Sequence, residues 1–428
     1  MSLKVRLTVM NFLEYAVWGA YLTSMGSYLV KIGMAENIGW FYSVQGFVSL
    51  FMPALVGIVA DRWIQGQKAL SLCHLLAGLF MICASAYGFR AGADASFPAL
   101  YSLYALSVAF FMPTIALANS VAYSALEGAG LDTVKDFPPI RVFGTIGFIC
   151  SMWVVDLGGM QENAGQFAFS GALSLLLSLY ALTLPACRVS RGSGRKSLSE
   201  ALGLRAFTLF KQRRMALFFV FSMCLGICLQ ITNGFASPFI FAFGGIPEYA
   251  DTFGVQHANI LISISQISET CCILLFPFFL SRFGIKRVML IAILAWVFRF
   301  GFFAVGNPGG GVWLFVLSML VYGVAFDFFN ISGSLFVDKE TDAGIRSSAQ
   351  GLFMMMTNGF GATVGTLSAQ AVINHFVYGL PDTATGHEVI AGWNTCWYIF
   401  AAYALVVAVL FALFFNYKHV PEKGGNHE

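Results

Sequence analysis

The sequence predicts an all-α polytopic membrane protein of twelve transmembrane helices arranged as two six-helix halves. Three observations carry that reading. Only 11% of the 428 residues are charged and 58% are hydrophobic, whereas an ordinary soluble domain is about 25% charged. This excludes a soluble enzyme, a nucleic-acid binder and a disordered chain. Stretches free of Asp, Glu, Lys and Arg recur at 37–60, 69–89, 95–126, 163–187, 215–247, 300–326, 347–381 and 389–417. Each is long enough for a spanning helix, which takes about 20 apolar residues. Finally, the basic residues gather in alternate connections between these stretches.

The spans follow in order. The first, 6–30, carries Glu14 and follows Lys4 and Arg6. No small-residue cleavage site accompanies it, so it reads as a retained helix and not a signal peptide. Spans 39–60, 69–89 and 97–124 are uninterrupted; 138–158 carries Arg141 and Asp156, and 165–186 closes the first half. The second half comprises 214–242, 253–281 with Glu269, 286–306 with Arg287 and Arg299, 311–336 with Asp327, 345–375 and 389–416. Unbroken runs such as Leu175-Leu176-Leu177 and Met354-Met355-Met356 lack the alternation of a membrane β-barrel.

With twelve spans, twenty of the 24 Lys and Arg residues fall on the side of both termini, and only Lys31 and Arg90 on the other. Arg141 and Arg299 lie inside spans. The asymmetry places both termini in the cytoplasm. The nine cysteines sit almost entirely in apolar helices and read as small buried hydrophobes, not as a disulfide framework or metal site. No cofactor is expected.

The largest basic loop, 187–213, divides the chain into an N-terminal bundle (1–186) and a C-terminal bundle (214–428). Within it, Ser197-Leu198-Ser199-Glu200 fits a capping box, and Glu200–Gln212 mixes Leu and Phe with Arg and Lys as an amphipathic cytoplasmic helix would. The two halves echo each other. Gly57, Asp61, Arg62, Gly66 and Lys68 stand after the second span, and Arg282, Gly284, Lys286 and Arg287 after the eighth. Ile140-Arg141 precedes Phe148 as Ile345-Arg346 precedes Phe353. Such duplication is a mark of secondary transporters. On these residues the chain resembles the major facilitator superfamily, whose signature the Gly57/Asp61/Arg62 loop looks like; the second copy has Ser281 where the first has Asp61.

Charges at bilayer depth are costly and single out functional positions. Asp327 shares a helix face with Asn330 and Ser334, beside Tyr322 and Phe326, and suits a substrate with hydroxyls and a flat ring. Glu269 and Gln266 share another face, flanked by Ser263, Ser265 and Ser268; an amide can read a base edge and a carboxylate can accept from ribose hydroxyls. Interhelical polar bonding is the alternative. Arg141, Thr145 and Phe148 align on the fifth span. Arg141 either snorkels to the cytoplasmic interface or is a counter-charge to Asp327 or Glu269. Pairing favours an ionised carboxylate and desolvation a protonated one, so a carboxylate moving between the two suits proton coupling. Gln230 and Asn233 form an amide pair on the seventh span. Glu14 faces either the cavity or the interface near the cytoplasmic end of the first helix. Arg299 reads as structural or as a partner to an unnamed carboxylate. His74, His257 and His375 are isolated and read as packing residues.

The assembled stretches sharpen the resemblance. They are Phe51-Met-Pro-Ala-Leu, Asp136-Phe-Pro-Pro-Ile-Arg141 through Phe148, Leu229-Gln230-Ile-Thr-Asn233, Ser263 through Glu269-Thr, Ala325-Phe-Asp327-Phe-Phe-Asn330-Ile-Ser-Gly-Ser, and Ser348 through Gly361. The chain is similar to the nucleoside:proton symporter family of bacterial permeases over all but its loops and termini. The resemblance implies proton-coupled import of purine and pyrimidine nucleosides, such as uridine or adenosine, by a protein that works as a monomer in the lipid bilayer of a bacterial cell inner membrane. It assigns substrate contacts to Arg141, Thr145, Phe148, Gln230, Asn233, Gln266, Glu269, Tyr322, Phe326 and Asp327, with Asp327, Glu269 and Arg141 in proton coupling. A sugar or other small polar solute symporter of the same fold is the alternative. An enzyme would need a catalytic cluster that the isolated histidines do not supply.

Overall fold

The computed structural model describes residues 2–187, 204–342 and 345–417, and every regular element among them is helical. The capping box at 197–200 and the start of the proposed amphipathic segment lie outside the described residues, as do the side chains of Asp61 and Arg62. The described part of that segment, Leu204–Lys211, is a 3-10 helix and not an α-helix. It buries Ala206 and Leu209, and Phe210 packs on Phe219 at 5.4 Å between ring centroids.

The helical segments among the described residues group into twelve runs, several of them interrupted. Helix α1 runs Leu3–Gly19, turns, and resumes as Met25–Lys31. The turn falls at Leu22-Thr23-Ser24, where a side chain from another helix takes the Leu22 carbonyl and the Thr23 and Ser24 hydroxyls bond to other helices. Tyr42 Oη donates to the Leu22 carbonyl (2.5 Å), Thr23 Oγ1 to Asn259 (3.1 Å) and Ser24 Oγ to Gln166 (3.0 Å). Helix α2 comprises Ile38–Ser49 and Met52–Arg62, broken just before Pro53, which has no N–H to continue the first segment. Then come α3 (Gly66–Ala91), α4 (Phe97–Gly128), α5 (Thr133–Leu157), α6 (Gly165–Ala181) and α7 (Arg213–Ala242). Helices α8 and α9 are the two arms of Ala258–Val305, folded back at Gly284 (φ 73°, ψ 168°), a conformation open essentially to glycine alone. Helix α10 is Val312–Glu340. Helix α11 begins at Arg346–Met354 and passes through π-helical Met355–Gly361, α-helical Ala362–Ile373 and π-helical Asn374–Tyr378. Helix α12, Gly386–Phe414, starts on a capping box of Thr385 and Glu388.

Exposed apolar rows such as Leu72, Leu75 and Leu79 on α3, or Val406, Leu410 and Leu413 on α12, would be sticky patches in water. On helices this long and apolar, such rows suit a surface facing hydrocarbon. Cys83, Cys150 and Cys271 are also exposed, so part of the cysteine set faces outward instead of into the core; Cys73, Cys228, Cys272 and Cys396 are buried. The halves meet through α1 with α7, α2 with α11, and α5 with α8. At the end carrying the termini, Lys4–Asp136 (2.6 Å), Arg214–Glu340 (3.0 Å) and Arg346–Asp338 (3.1 Å) each pair within one half. At the opposite end, hydrogen bonds cross between halves, including Ser27 with Ser237 (2.7 Å) and the Gly39 N–H to Gln370 (2.6 Å).

Candidate functional site

Helices α1 and α5 approach so closely that glycine is required between them. A Cβ at Gly147 would overlap the Phe12 carbonyl, and one at Gly144 would lie 2.6 Å from the Tyr15 ring and 2.9 Å from Arg141 Nη1. The bare backbone lets the Tyr15 ring lie under the Arg141 guanidinium, 3.9 Å from Cζ to centroid. A cation over an aromatic face is favourable in a poorly hydrated setting. Arg141 therefore does not snorkel to the interface. It is held inward against the buried Tyr15 ring, on the helix that packs against α8.

Glu269 and Asp327 lie on helices in close contact: a Cβ at Gly323 on α10 would lie 2.6 Å from the Ser268 carbonyl on α8. Asp327 is 5% exposed, and its Oδ2 has no hydrogen-bond partner among the described residues. Burying such a group is costly unless something else engages it. Gln266, one turn before Glu269, likewise has a buried unpartnered Oε1. Above Asp327, Tyr322 and Phe326 stack nearly parallel, 5.7 Å apart at 4°. Tyr322 is held edge-on by Trp296 (6.0 Å) and covered by Arg299, whose Cζ lies 4.6 Å from the ring centroid.

Arg141, Glu269, Gln266, Tyr322, Phe326 and Asp327 thus share one region spanning α5, α8 and α10. Phe148 is buried on α5 and meets Trp18 edge-on at 6.2 Å. Gln230 and Asn233 on α7 are half-buried and bond each other at 3.4 Å. The contacts described for these two do not reach the carboxylates. Thr145 is half-buried on the Arg141 face of α5. A small cavity beside the region, between α7, α9, α10 and α11, is lined by Phe326, Asn330, Trp296 and Asn358.

Several expectations change. Glu14 faces neither cavity nor interface. It is fully buried in the first half, bonded to His74 Nε2 (2.8 Å) and by Thr114 Oγ1 (2.6 Å). His74 is therefore not isolated, and nor is His257, whose Nδ1 meets Asp156 at 2.6 Å. Arg299 has no carboxylate partner in the contacts described. It donates to the Ser318 carbonyl (2.8 Å) and Ser265 Oγ (3.3 Å) and lies against aromatic rings. Sequence reading missed Tyr15, Trp18 and Gln45. Trp18 Nε1 donates to Gln45 (3.3 Å), which donates to Tyr104 Oη (2.9 Å). The only available signal was Tyr15 and Trp18 on one face of α1 beside Glu14.

Comparison with known proteins fits this geometry. A family model described as nucleoside H+ symporter matches residues 1–420. Xanthosine permease of Escherichia coli (strain K12) is 48% identical over 427 residues, covering 99% of this chain and 98% of that protein. Nucleoside permease NupG of the same organism is 47% identical over 424 residues, covering 98% and 97%. A crystal structure of nucleoside transporter NupG superposes with a TM-score of 0.88 at 46% identity, covering 98% of this chain and 100% of that one. The xylose transporter XylE from E. coli shares the fold alone, with a TM-score of 0.62 at 13% identity over 98% and 100% of the two chains.

Proposed function

The chain belongs to the nucleoside–proton symporter family, and from that premise we propose how its residues couple nucleoside import to protons. The protein is a multi-pass membrane transporter of the major facilitator fold and not an enzyme. It imports nucleosides together with protons. Our reading of the site rests on one observation: the buried Asp327 Oδ2 and Gln266 Oε1 have no hydrogen-bond partner among the described residues.

The nucleoside lies midway between the halves. Gln230, Asn233 and Gln266 hydrogen-bond it, and Glu269 accepts from its ribose hydroxyls. Phe148, Tyr322 and Phe326 enclose the base; ring faces tolerate different bases, so purine and pyrimidine nucleosides are both accepted. Thr145 adds a hydroxyl beside Arg141. Asp327 or Glu269 carries the proton. With the outer side open, the carboxylate protonates and substrate binds. The halves rock, the inner side opens, and Arg141 competes for the carboxylate as proton and nucleoside leave. Differential binding to the two states, not binding alone, drives the shift. The protein acts as a monomer in a bacterial inner membrane, and its basic face and both termini are cytoplasmic.

Uridine uptake into energised vesicles tests this directly. A protonophore should abolish accumulation above the external concentration. Accumulation undiminished after collapse of the gradient would refute proton coupling. The Gln266 and Asp327 oxygens, unpartnered among the described residues, favour a polar substrate that engages both, over the diffuse apolar contacts of a drug exporter. Competition by free ribose or lactose, but not by nucleosides, would instead favour the sugar reading.

A further inference from the structure

Asp156 sits in the last turn of α5, where a negative side chain opposes its own helix dipole. It is 4% exposed, so water does not compensate it. Its partners lie across the boundary between halves. Oδ2 accepts from the Ile260 N–H (3.2 Å) and Oδ1 meets His257 Nδ1 (2.6 Å). Gln161, 5% exposed in the connection after α5, accepts from the Asn259 N–H (3.2 Å) and donates to the Gln256 carbonyl (3.2 Å). These N–H groups open α8. Its N-cap residue, His257, supplies no side-chain cap of its own. The first turn of a helix leaves N–H groups unpaired within the helix, and here acceptors from the other half take two of them.

We propose that Asp156 and Gln161 form the closure latch of the outer gate, a cap supplied in trans to α8. The latch forms when the outer ends of the halves meet and breaks when they part. Helix α8 carries Gln266 and Glu269, so the cap also sets the seating of those side chains when the outside is shut. Asp156 and Gln161 are positioning residues; they act through α8 and do not touch substrate. The inference rests on the alternating-access reading and on the cytoplasmic placement of the termini.

Thr23, buried against Asn259 beside the latch, provides the reporter. Thr23→Cys is labelled in intact cells with a membrane-impermeant maleimide, alone and combined with Asp156→Ala, Gln161→Ala or Asp156→Asn. The parent chain, with its own cysteines, sets the background. Removing the cap should speed labelling from outside by about 2- to 30-fold, the span of a lost N-cap. Asp156→Asn retains an oxygen for the Ile260 N–H and should label like the reporter alone. In the same strains without the reporter, the alanine variants should lower the external KM for uridine and also the maximal rate, because more of the population waits outward-facing. A destabilised but correctly gated protein would lose only maximal rate. Unchanged labelling in both alanine variants overturns the latch, and so does Asp156→Asn labelling as fast as Asp156→Ala. If Asp156→Ala fails to reach the membrane, Gln161→Ala decides. Faster labelling seen only in inside-out vesicles would mean that the topology is reversed while the latch stands. Absence of nucleoside uptake by the parent would instead remove the transport reading.

Discussion

Glu14 and His74 show what a buried charge does when it is not the transport site. Ser174 Oγ donates its only proton to the His74 carbonyl (2.9 Å), so its lone pair receives the proton on His74 Nδ1 (3.0 Å). His74 Nε2 and Glu14 Oε2 then share one proton, and Thr114 holds the other oxygen of Glu14. Removing one partner leaves the other buried without its counterpart, which costs about 3–5 kcal/mol. Glu14→Ala and His74→Ala should each lower the Tm of the purified protein by several degrees, and the double variant should lower it by clearly less than their sum. Simple additivity would mean that the pair does not act as a unit. Asp327 and Glu269 should behave differently. Asp327→Asn or Glu269→Gln, whichever removes the proton site, should retain nucleoside exchange across the membrane yet lose accumulation. If both variants accumulate normally, the proton lies elsewhere. Asp327 and Glu269 were legible in the sequence because a carboxylate inside an apolar run is costly and so stands out. The Glu14–His74 bond was not, since it joins residues 60 apart whose helices become neighbours only in the folded bundle. Tyr15 under Arg141 was hidden for another reason: in a chain with 15 Tyr and 44 Phe, one more aromatic carries no signal.

Helices were legible wherever an apolar run was long, and their interruptions were not. The turn in α1 depends on hydroxyl and amide partners from other helices, and the π-helical stretch of α11 depends on its contact with α7. There, a Cβ at Gly226 would overlap the Thr357 carbonyl, and one at Gly361 would lie 2.9 Å from Gly226 Cα. Small residues at such a crossing bring the backbones together, and π-helical segments recur at functional sites. Gly226→Ala must push α11 away and should cost about 1–3 kcal/mol by overpacking. Gly301→Ala on α9 meets nothing within 4 Å and should be neutral or slightly stabilising, since alanine favours helix over glycine. Thermal unfolding in detergent separates the two. Equal Tm values would show that the crossing yields freely. Uridine uptake by Gly226→Ala should fall further than its stability predicts, because Phe326 and Asn330 border the same small cavity as Gly226.

For the whole molecule, the distribution of basic residues predicts sidedness, and the echo between halves predicts two similar bundles. What holds the bundles to each other could not be read in advance. The sequence places the division at the basic loop 187–213, and the structure joins the halves by side-chain bonds at one end and by α1–α7, α2–α11 and α5–α8 packing. Those contacts do not run through the loop. Each half also keeps its own ion pairs at the end that bears the termini. The polypeptide connection should therefore matter less than the interface. A chain cut after Gly194, with both pieces co-expressed, should reassemble and import uridine at a reduced but measurable rate. The reduction follows from the lost effective concentration of a tethered pair. The two pieces should also co-purify through a tag on either one. Uptake should disappear when Gln370→Leu, which removes the bond to the Gly39 N–H, is combined with Asp156→Ala in the cut protein, while the same substitutions in the intact chain only weaken it. If the cut pieces never associate, the bundles are not independent folding units and the division at the loop is wrong. If they associate and the doubly substituted cut protein transports as well as the singly cut one, packing alone holds the halves and the outer hydrogen bonds serve gating without contributing to assembly.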